Sequence, residues 1–284
     1  MKKIATIGCF DGVHRGHQFL FDHLRSFASQ RGVTPLIVTF DTHPRVVLQS
    51  DYVPHFLTSL DERKALLAQY GEVVVLPFDQ VQPLTAEQFM AYLRDEYEVS
   101  VLLMGYDHRF GSDRLDRPQD YRRIGEQCGI EVLTMPEYTE GEWHVSSTEI
   151  RQALETGNIV VANELLGRPY ALSGTVVHGK GLGRTIGFPT ANIKPSDPHK
   201  IIPQCGVYMA RVDTPTMDNA PAFVNIDVHG VIEAHIPSFK GDLYNARLEL
   251  RFERFLREER SFTSLEQVKE QIKADVDSIL RQGA

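Results

Sequence analysis

Residues 4–17 read Ile4-Ala5-Thr6-Ile7-Gly8-Cys9-Phe10-Asp11-Gly12-Val13-His14-Arg15-Gly16-His17. The run from Ile4 to Gly8 is short and apolar, as a buried strand is, and a helical pattern follows from about His17. A strand that passes through a glycine turn into a helix opens an alternating α/β fold. The alternation continues downstream. Pro35 to Phe40 (PLIVTF) reads as a second strand, Val73 to Leu76 as a third, Val101 to Met104 as a fourth and Val132 to Thr134 as a fifth. Between them, Ser59-Leu60-Asp61-Glu62 has the spacing of a capping box that opens a helix through Tyr70. Thr85-Ala86-Glu87-Gln88 repeats that spacing ahead of a helix to about Tyr97. Continuous apolar strands separated by helices predict a parallel sheet covered on both faces. Ligands bind such sheets at the carboxyl ends of the strands.

Helical signals run from Ser146 to about Leu166, and Gly167-Arg168-Pro169 stops them. This places a domain boundary between residues 167 and 168, giving domains 1–167 and 168–284. The second half changes style. Segments near 170–177, 206–213, 222–227, 231–237 and 245–255 have strand composition with Gly and Pro between them, which predicts a small antiparallel β-barrel. A final helix is expected after the capping box at Ser264, with Leu265, Val268, Ile272, Val276 and Ile279 on one face.

Of 284 residues, 42% are hydrophobic and 24% charged, which excludes a disordered chain. The formal net charge of −8 disfavours bulk binding to nucleic acid or to an anionic membrane, so any anionic ligand needs a local site. No apolar run reaches membrane-spanning length, and Asp11 and His14 interrupt the first one, so a cytoplasmic protein is expected. Three scattered cysteines, Cys9, Cys128 and Cys205, form neither a disulfide framework nor a zinc knuckle.

Four segments carry chemistry. Gly8 to His17, with Phe10, Asp11 and Gly16 among its members, sits where a sheet presents phosphate to a helix N-terminus. His14 and His17 bring two imidazoles to that positive end, fit to stabilise charge on a phosphate under attack. Read alone, the HxGH pattern is equally a surface turn or half of a zinc site. Val145-Ser146-Ser147-Thr148-Glu149-Ile150-Arg151 offers hydroxyls and a guanidinium at a second helix start, an anion site or simply an N-cap. Gly105-Tyr106-Asp107-His108-Arg109-Phe110-Gly111 follows the fourth strand and faces the same cleft, or is a plain loop. The fourth is Gly179-Lys180-Gly181-Leu182-Gly183-Arg184-Thr185-Ile186-Gly187-Phe188-Pro189-Thr190-Ala191-Asn192. Gly181 stands where a P-loop needs Ser or Thr, and Ile186 where a dinucleotide fingerprint needs Gly, so it is neither. Its glycines let backbone approach phosphates, and Thr190 and Asn192 present neutral oxygens on one face of a strand, suited to magnesium that already carries ATP phosphates.

Together these segments resemble the bacterial bifunctional riboflavin kinase/FAD synthetase family, nearly end to end. The resemblance runs through TIGCFDGVHRGH, VTFDTHPRVVL, SSTEIRQALETGNIVVANELLGRPY, GKGLGRTIGFPTANI and GDLYNARLELRFERFLREERSF. It implies a Rossmann-like nucleotidyltransferase domain that adenylylates FMN to FAD, followed by a β-barrel flavokinase domain that phosphorylates riboflavin to FMN. The ligands would be ATP, riboflavin, FMN and FAD with Mg2+. By the same resemblance, His14 and His17 serve the transition state. Gly8, Phe10, Asp11, Gly16, Asp107, Arg109, Ser147, Thr148 and Arg151 serve the first nucleotide. Gly179, Lys180, Gly181, Gly183 and Arg184 serve the second, Thr190 and Asn192 hold the metal, and Glu233 is the catalytic base. The chain departs from the family in Tyr106 and His108, and in a short segment between Asn225 and Glu233. That short segment keeps open an alternative: an FMN adenylyltransferase with a weakened kinase barrel.

Overall fold

The computed structural model of the chain describes residues 1–284 apart from 50, 52, 141–142, 180, 182, 184–186, 215, 238, 261–265, 268, 272 and 275–284. The chain divides into two compact units, Met1–Ser147 and Thr148–Ala284. The division falls upstream of Gly167, so the helices that precede Gly167 group with the barrel.

The first unit runs β1 (Lys3–Ile7), α1 (Arg15–Arg31), β2 (Thr34–Phe40), α2 (Pro44–Leu48), α3 (Leu60–Leu67), β3 (Glu72–Leu76), α4 (Phe78–Val81), α5 (Ala86–Tyr97), β4 (Val99–Met104), α6 (Pro118–Cys128) and β5 (Glu131–Thr134). A small hairpin, β6 (Thr139–Glu140) and β7 (Trp143–His144), follows. The sheet has the order β3-β2-β1-β4-β5, and every pairing in it is parallel. Its strands read as unbroken apolar runs because both faces are buried. Ile4, Ile37 and Leu103 pack with Phe21, Leu24 and Ala28 of α1 on one side. Ala5, Ile7, Val38 and Leu102 pack with Met90, Leu93, Tyr121 and Ile124 of α5 and α6 on the other.

The two capping boxes expected in the first unit both form, while the one at Ser264 lies outside the described residues. Ser59 Oγ accepts from Glu62 N at 3.2 Å while Glu62 Oε2 accepts from Ser59 N at 3.0 Å. Thr85 and Gln88 repeat the exchange at 3.2 and 3.0 Å. Helix α3 stops at Leu67, short of Tyr70, and α1 starts at Arg15, two residues before His17. Helix α6 is an element the sequence reading did not assign. Pro118 in its first turn and Gly129 at its C-terminus, with φ 73°, are its signals.

Strands β1 and β4 are neighbours, yet from β1 the chain moves first to β2 on the opposite side. The sheet order therefore reverses between β1 and β4. The crevice beyond their carboxyl ends, Ile7 and Met104, is the place where sheets of this type accept ligands.

In the second unit the helical stretch is two helices, α7 (Ser147–Glu155, whose first residue belongs to the first unit) and α8 (Ile159–Leu166). Gly157, with φ 72°, breaks them, and Gly167, with φ 70°, caps α8. Asn163 ties α8 to the barrel: its Nδ2 donates to Phe252 O at 2.8 Å, and its Oδ1 accepts from Tyr170 N at 2.7 Å. The barrel strands are β8 (Tyr170–Val177), β9 (Thr190–Pro195), β10 (Gly206–Thr214), β11 (Met217–Ile226), β12 (Ile232–His235) and β13 (Arg247–Arg257). They close in the order β10-β11-β12-β9-β8-β13, all antiparallel. The strand through Thr190 and Asn192 is the member that the five strand-like segments lacked.

Inside the barrel lie Val176, Ile193, Tyr208, Ala210, Val212, Val224, Ile226, Ile232, Ala234 and Leu250, each at most 4% exposed. Glu266, Gln267, Lys269 to Gln271, Lys273 and Ala274 are helical. Ser264, Leu265, Val268, Ile272, Val276 and Ile279 lie outside the described residues. Among the described residues, no helix is long and apolar enough to cross a membrane.

Candidate active sites

The turn between β1 and α1 is built under constraint. Phe10 and Val13 hold φ 49° and 43°, and Gly12 holds 82°. Left-handed backbone at non-glycine residues costs of order 1 kcal/mol each or more and persists only where neighbours enforce it. Buried Asp11 is the enforcer. Its carboxylate accepts from Leu57 N, Thr58 N and Thr58 Oγ1, all at 3.0–3.1 Å. Gly12 N donates to Thr58 Oγ1 at 3.0 Å, and Ser147 Oγ donates to Asp11 O at 2.9 Å. Asp11 thus shapes the loop from below.

His14 is the N-cap of α1, and its Nδ1 accepts from His17 N at 3.4 Å. The two imidazoles stack with centroids 3.6 Å apart and planes 20° apart. Phe10 meets His17 edge-on at 5.2 Å and Phe21 at 4.9 Å. A methyl group at Gly16 would lie 3.3 Å from the His14 ring, and one at Gly8 would lie 2.7 Å from the Phe10 ring. Both glycines therefore make room for the aromatic stack. Two rings at the positive end of a 17-residue helix are an arrangement suited to an anion.

Behind the loop, burial pushes the Cys9 thiol up to about 12, only partly offset by the Arg63 guanidinium, so Cys9 is no nucleophile. Arg63 is itself buried and donates to Phe40 O.

The β4 loop borders the same crevice. His108 N donates to Gly105 O at 3.3 Å. Burial holds the His108 imidazole down to about 4, and its Nε2 has no hydrogen-bond partner among the described residues. Exposed Arg109 pairs with Asp116 at 2.8 Å, and Asp107 is exposed. Burial, and Glu137 nearby, push the Tyr106 hydroxyl up, and Glu137 pairs with His144 Nδ1 at 2.7 Å. Thr148 and Arg151 follow Ser147 on α7, within the second unit.

The second cluster lies on the barrel's outer face. Register alone assembles it. Ala191, Ile193, Ile232 and Ala234 pair across β9 and β12, with Ile193, Ile232 and Ala234 buried in the core. The alternate residues therefore point outward. Asn192 pairs with Glu233, Glu233 pairs with Asn225, and Thr190 pairs with His235. Two glycines of the segment before β9 lie against this face. A Cβ at Gly179 would meet the Asn192 amide, and a Cβ at Gly183 would lie 3.2 Å from Thr190 Oγ1. Gly181 holds φ 69°. Lys180 and Arg184 lie outside the described residues.

Thr190 and Asn192 are hard neutral oxygens opposite one carboxylate. That donor set fits magnesium arriving with phosphate oxygens, not a self-contained cage. Among the described residues no group of three His, Cys, Asp or Glu is placed to hold a metal ion alone.

The short segment after Asn225 is an ordered turn. Asp227 Oδ1 accepts from His229 N and Val231 N at 2.8 Å, and Asp227 N donates to Val231 O at 3.0 Å. Gly230, with φ 76°, completes it. The turn preserves the ladder that presents Glu233. Sequence reasoning missed His235 and Asn225, since their relation to the cluster is cross-strand and not written in local spacing.

A family model for FAD synthetase matches residues 1–149, and one for riboflavin kinase matches residues 166–282. The chain is 35% identical over 283 residues to a bifunctional riboflavin kinase/FMN adenylyltransferase of Escherichia coli K12, covering 96% of this chain and 90% of the relative. It is 36% identical over 285 residues to the protein so named in Pseudomonas fluorescens, with the same coverage. The one from Bacillus subtilis is 31% identical over 301 residues, covering 99% and 92%. A crystal structure titled as a macrolide-efflux protein from Streptococcus pneumoniae superposes with TM-score 0.88 at 31% identity, over 97% of this chain and 93% of that one.

Proposed function

Because the chain belongs to the bifunctional riboflavin kinase/FMN adenylyltransferase family, it acts in flavin cofactor biosynthesis, and we propose that the two clusters above divide the two reactions between them. One reaction phosphorylates riboflavin with ATP to give FMN. The other adenylylates FMN with ATP to give FAD and pyrophosphate. The alternative of a relic kinase barrel is not favoured, since both enzyme domains match.

The adenylyltransferase is assigned to residues 1–167 and the kinase to residues 168–284. In the first, an FMN phosphate oxygen attacks the α-phosphorus of ATP and pyrophosphate leaves. Neither partner needs a protein nucleophile. His14 and His17 donate to the charge that builds on the α-phosphate, aided by the α1 amides. Asp107, Arg109, Ser147, Thr148 and Arg151 hold the nucleotide, while Gly8, Phe10, Asp11 and Gly16 fix the loop.

In the second, Glu233 accepts the proton of the riboflavin 5′-hydroxyl as its oxygen attacks the γ-phosphorus and ADP leaves. Gly179, Lys180, Gly181, Gly183 and Arg184 hold the phosphates. Thr190 and Asn192 would hold magnesium, which when bound would neutralise phosphate charge. A cytoplasmic location, where ATP is supplied, belongs to the same reading.

The observation that carries the kinase assignment is the direct pairing of Asn192 with Glu233 across β9 and β12. The test is chromatography of products from riboflavin, ATP and magnesium, with a parallel reaction started from FMN. FMN and FAD from riboflavin are expected. FAD from the FMN-fed reaction alone would overturn the kinase assignment.

A further inference from the structure

The strand that carries Glu233 ends at His235, a residue 8% exposed. Phe188 meets it edge-on at 5.4 Å, and Phe223 lies 6.4 Å away. Its Nδ1 lies 2.8 Å from Pro189 O, the carbonyl immediately before Thr190. A carbonyl oxygen only accepts, so Nδ1 carries the hydrogen and donates it. In the neutral ring Nε2 then keeps a lone pair. Nε2 has no hydrogen-bond partner among the described residues. His235 shares the outer face with Glu233, two residues along β12, and lies opposite Thr190. The ring is thus oriented by packing on two sides and by one backbone bond, and its acceptor sits beside the residues assigned to phosphoryl transfer.

Phosphate oxygens at neutral pH are acceptors and do not pair with a lone pair. The donors available beside the transferring group are hydroxyls. We propose that His235 Nε2 is a further ligand-binding group of the kinase site, accepting a hydrogen bond from an O–H of the bound ligands. That O–H is a ribityl hydroxyl of riboflavin or a water carried in on the metal. The inference rests on the reading of Thr190, Asn192 and Glu233 as the kinase site.

Two substitutions separate the ring nitrogens. His235→Asn keeps an N–H donor near the Nδ1 position and deletes Nε2. His235→Gln places an amide near Nε2 and gives up the bond to Pro189. With His235→Asn, the KM for riboflavin should rise about tenfold with little change in kcat, the effect of one lost hydrogen bond. Lumiflavin, which lacks the ribityl chain, should inhibit the variant and the parent equally. If the donor is metal-borne water, the shift appears instead in the magnesium concentration for half-saturation. It appears too in the magnesium dependence of riboflavin binding, followed by flavin fluorescence with a non-hydrolysable ATP analogue. His235→Gln should recover part of the loss in either case.

Unchanged riboflavin and magnesium dependence in His235→Asn overturns the proposal. So does a loss in His235→Gln alone, which would make Nδ1 the whole of the residue's role. FMN adenylylation by the same variants reports that the chain is folded. Asn192→Ala separates the two readings. If it leaves FMN formation intact, the kinase-site assignment fails. If it abolishes FMN formation while His235→Asn is inert, only the His235 inference fails.

Discussion

Gly179 stands against the side chain of Asn192 so closely that a methyl group added to the glycine would lie 2.5 Å from Asn192 Cγ. Gly179 and the strand that carries Asn192 are therefore fitted to each other, and the absence of a side chain at residue 179 serves the orientation of the Asn192 amide.

Gly179→Ala should turn the Asn192 amide aside without unfolding the barrel, because the atoms in conflict end a rotatable side chain. A displacement of about 1 Å at a reacting centre costs on the order of 100-fold in rate. FMN formation should fall by roughly that factor, with FAD synthesis from supplied FMN and the melting temperature preserved. A parent-like kinase rate would detach the loop from Asn192.

Glu233→Gln keeps the shape of the outer-face row and removes the proton acceptor. Riboflavin phosphorylation should drop ~10²–10⁴-fold, the usual contribution of a positioned base. The fall should appear in kcat more than in KM. Product chromatography from riboflavin and from FMN separates this loss from any effect on adenylylation, and an equal fall in both reactions would contradict two sites.

His17→Ala removes one of two stacked imidazoles from the α1 N-terminus. Adenylylation should fall ~10²–10³-fold, as for loss of one preorganised donor. Given riboflavin and ATP, the variant should accumulate FMN. Undiminished FAD output would refute the N-terminal assignment.

How much of this was legible beforehand depends on whether the information is local. The strand-turn-helix at residues 4–17 and the spacing of Thr190 and Asn192 are local, and both could be read directly. Helix α6 was passed over because its polar surface hides a buried face of Tyr121, Ile124 and Cys128, although Pro118 and Gly129 mark its ends. The pairing of Glu233 with Asn192, and the place of His235 beside Thr190, depend on strand register. A slip of one residue would turn every side chain to the other face. The bonds of Asp11 to Leu57 and Thr58 are not written in local spacing, because those partners lie far along the chain. The packing division at Ser147/Thr148 crosses a helix that carries no sequence break.

Asp11→Ala should reveal that structural role. It leaves Leu57 N and Thr58 N without their acceptor, and buried donors stranded in this way cost ~1–3 kcal/mol each. A loss of about 3 kcal/mol is expected for unfolding of the first unit, together with weaker adenylylation. Unaltered thermal stability would return Asp11 to the role of a ligand contact.

His108 sets an acid limit on the first unit. Its folded imidazole is held down to about 4 by burial, against an ordinary value of 6.5. Between those values the unfolded chain binds a proton that the folded unit does not. Stability therefore falls as pH drops through that window, with a slope approaching one proton, and is flat in this residue above it. His108→Phe removes both the titrating group and the buried Nε2 that lacks a partner among the described residues. Urea unfolding of parent and variant at about pH 7.5 and about pH 5 decides the matter. The variant should be at least as stable at the higher pH, and should lose less on acidification. An acid drop of the same size in both proteins would place the sensitivity in another group.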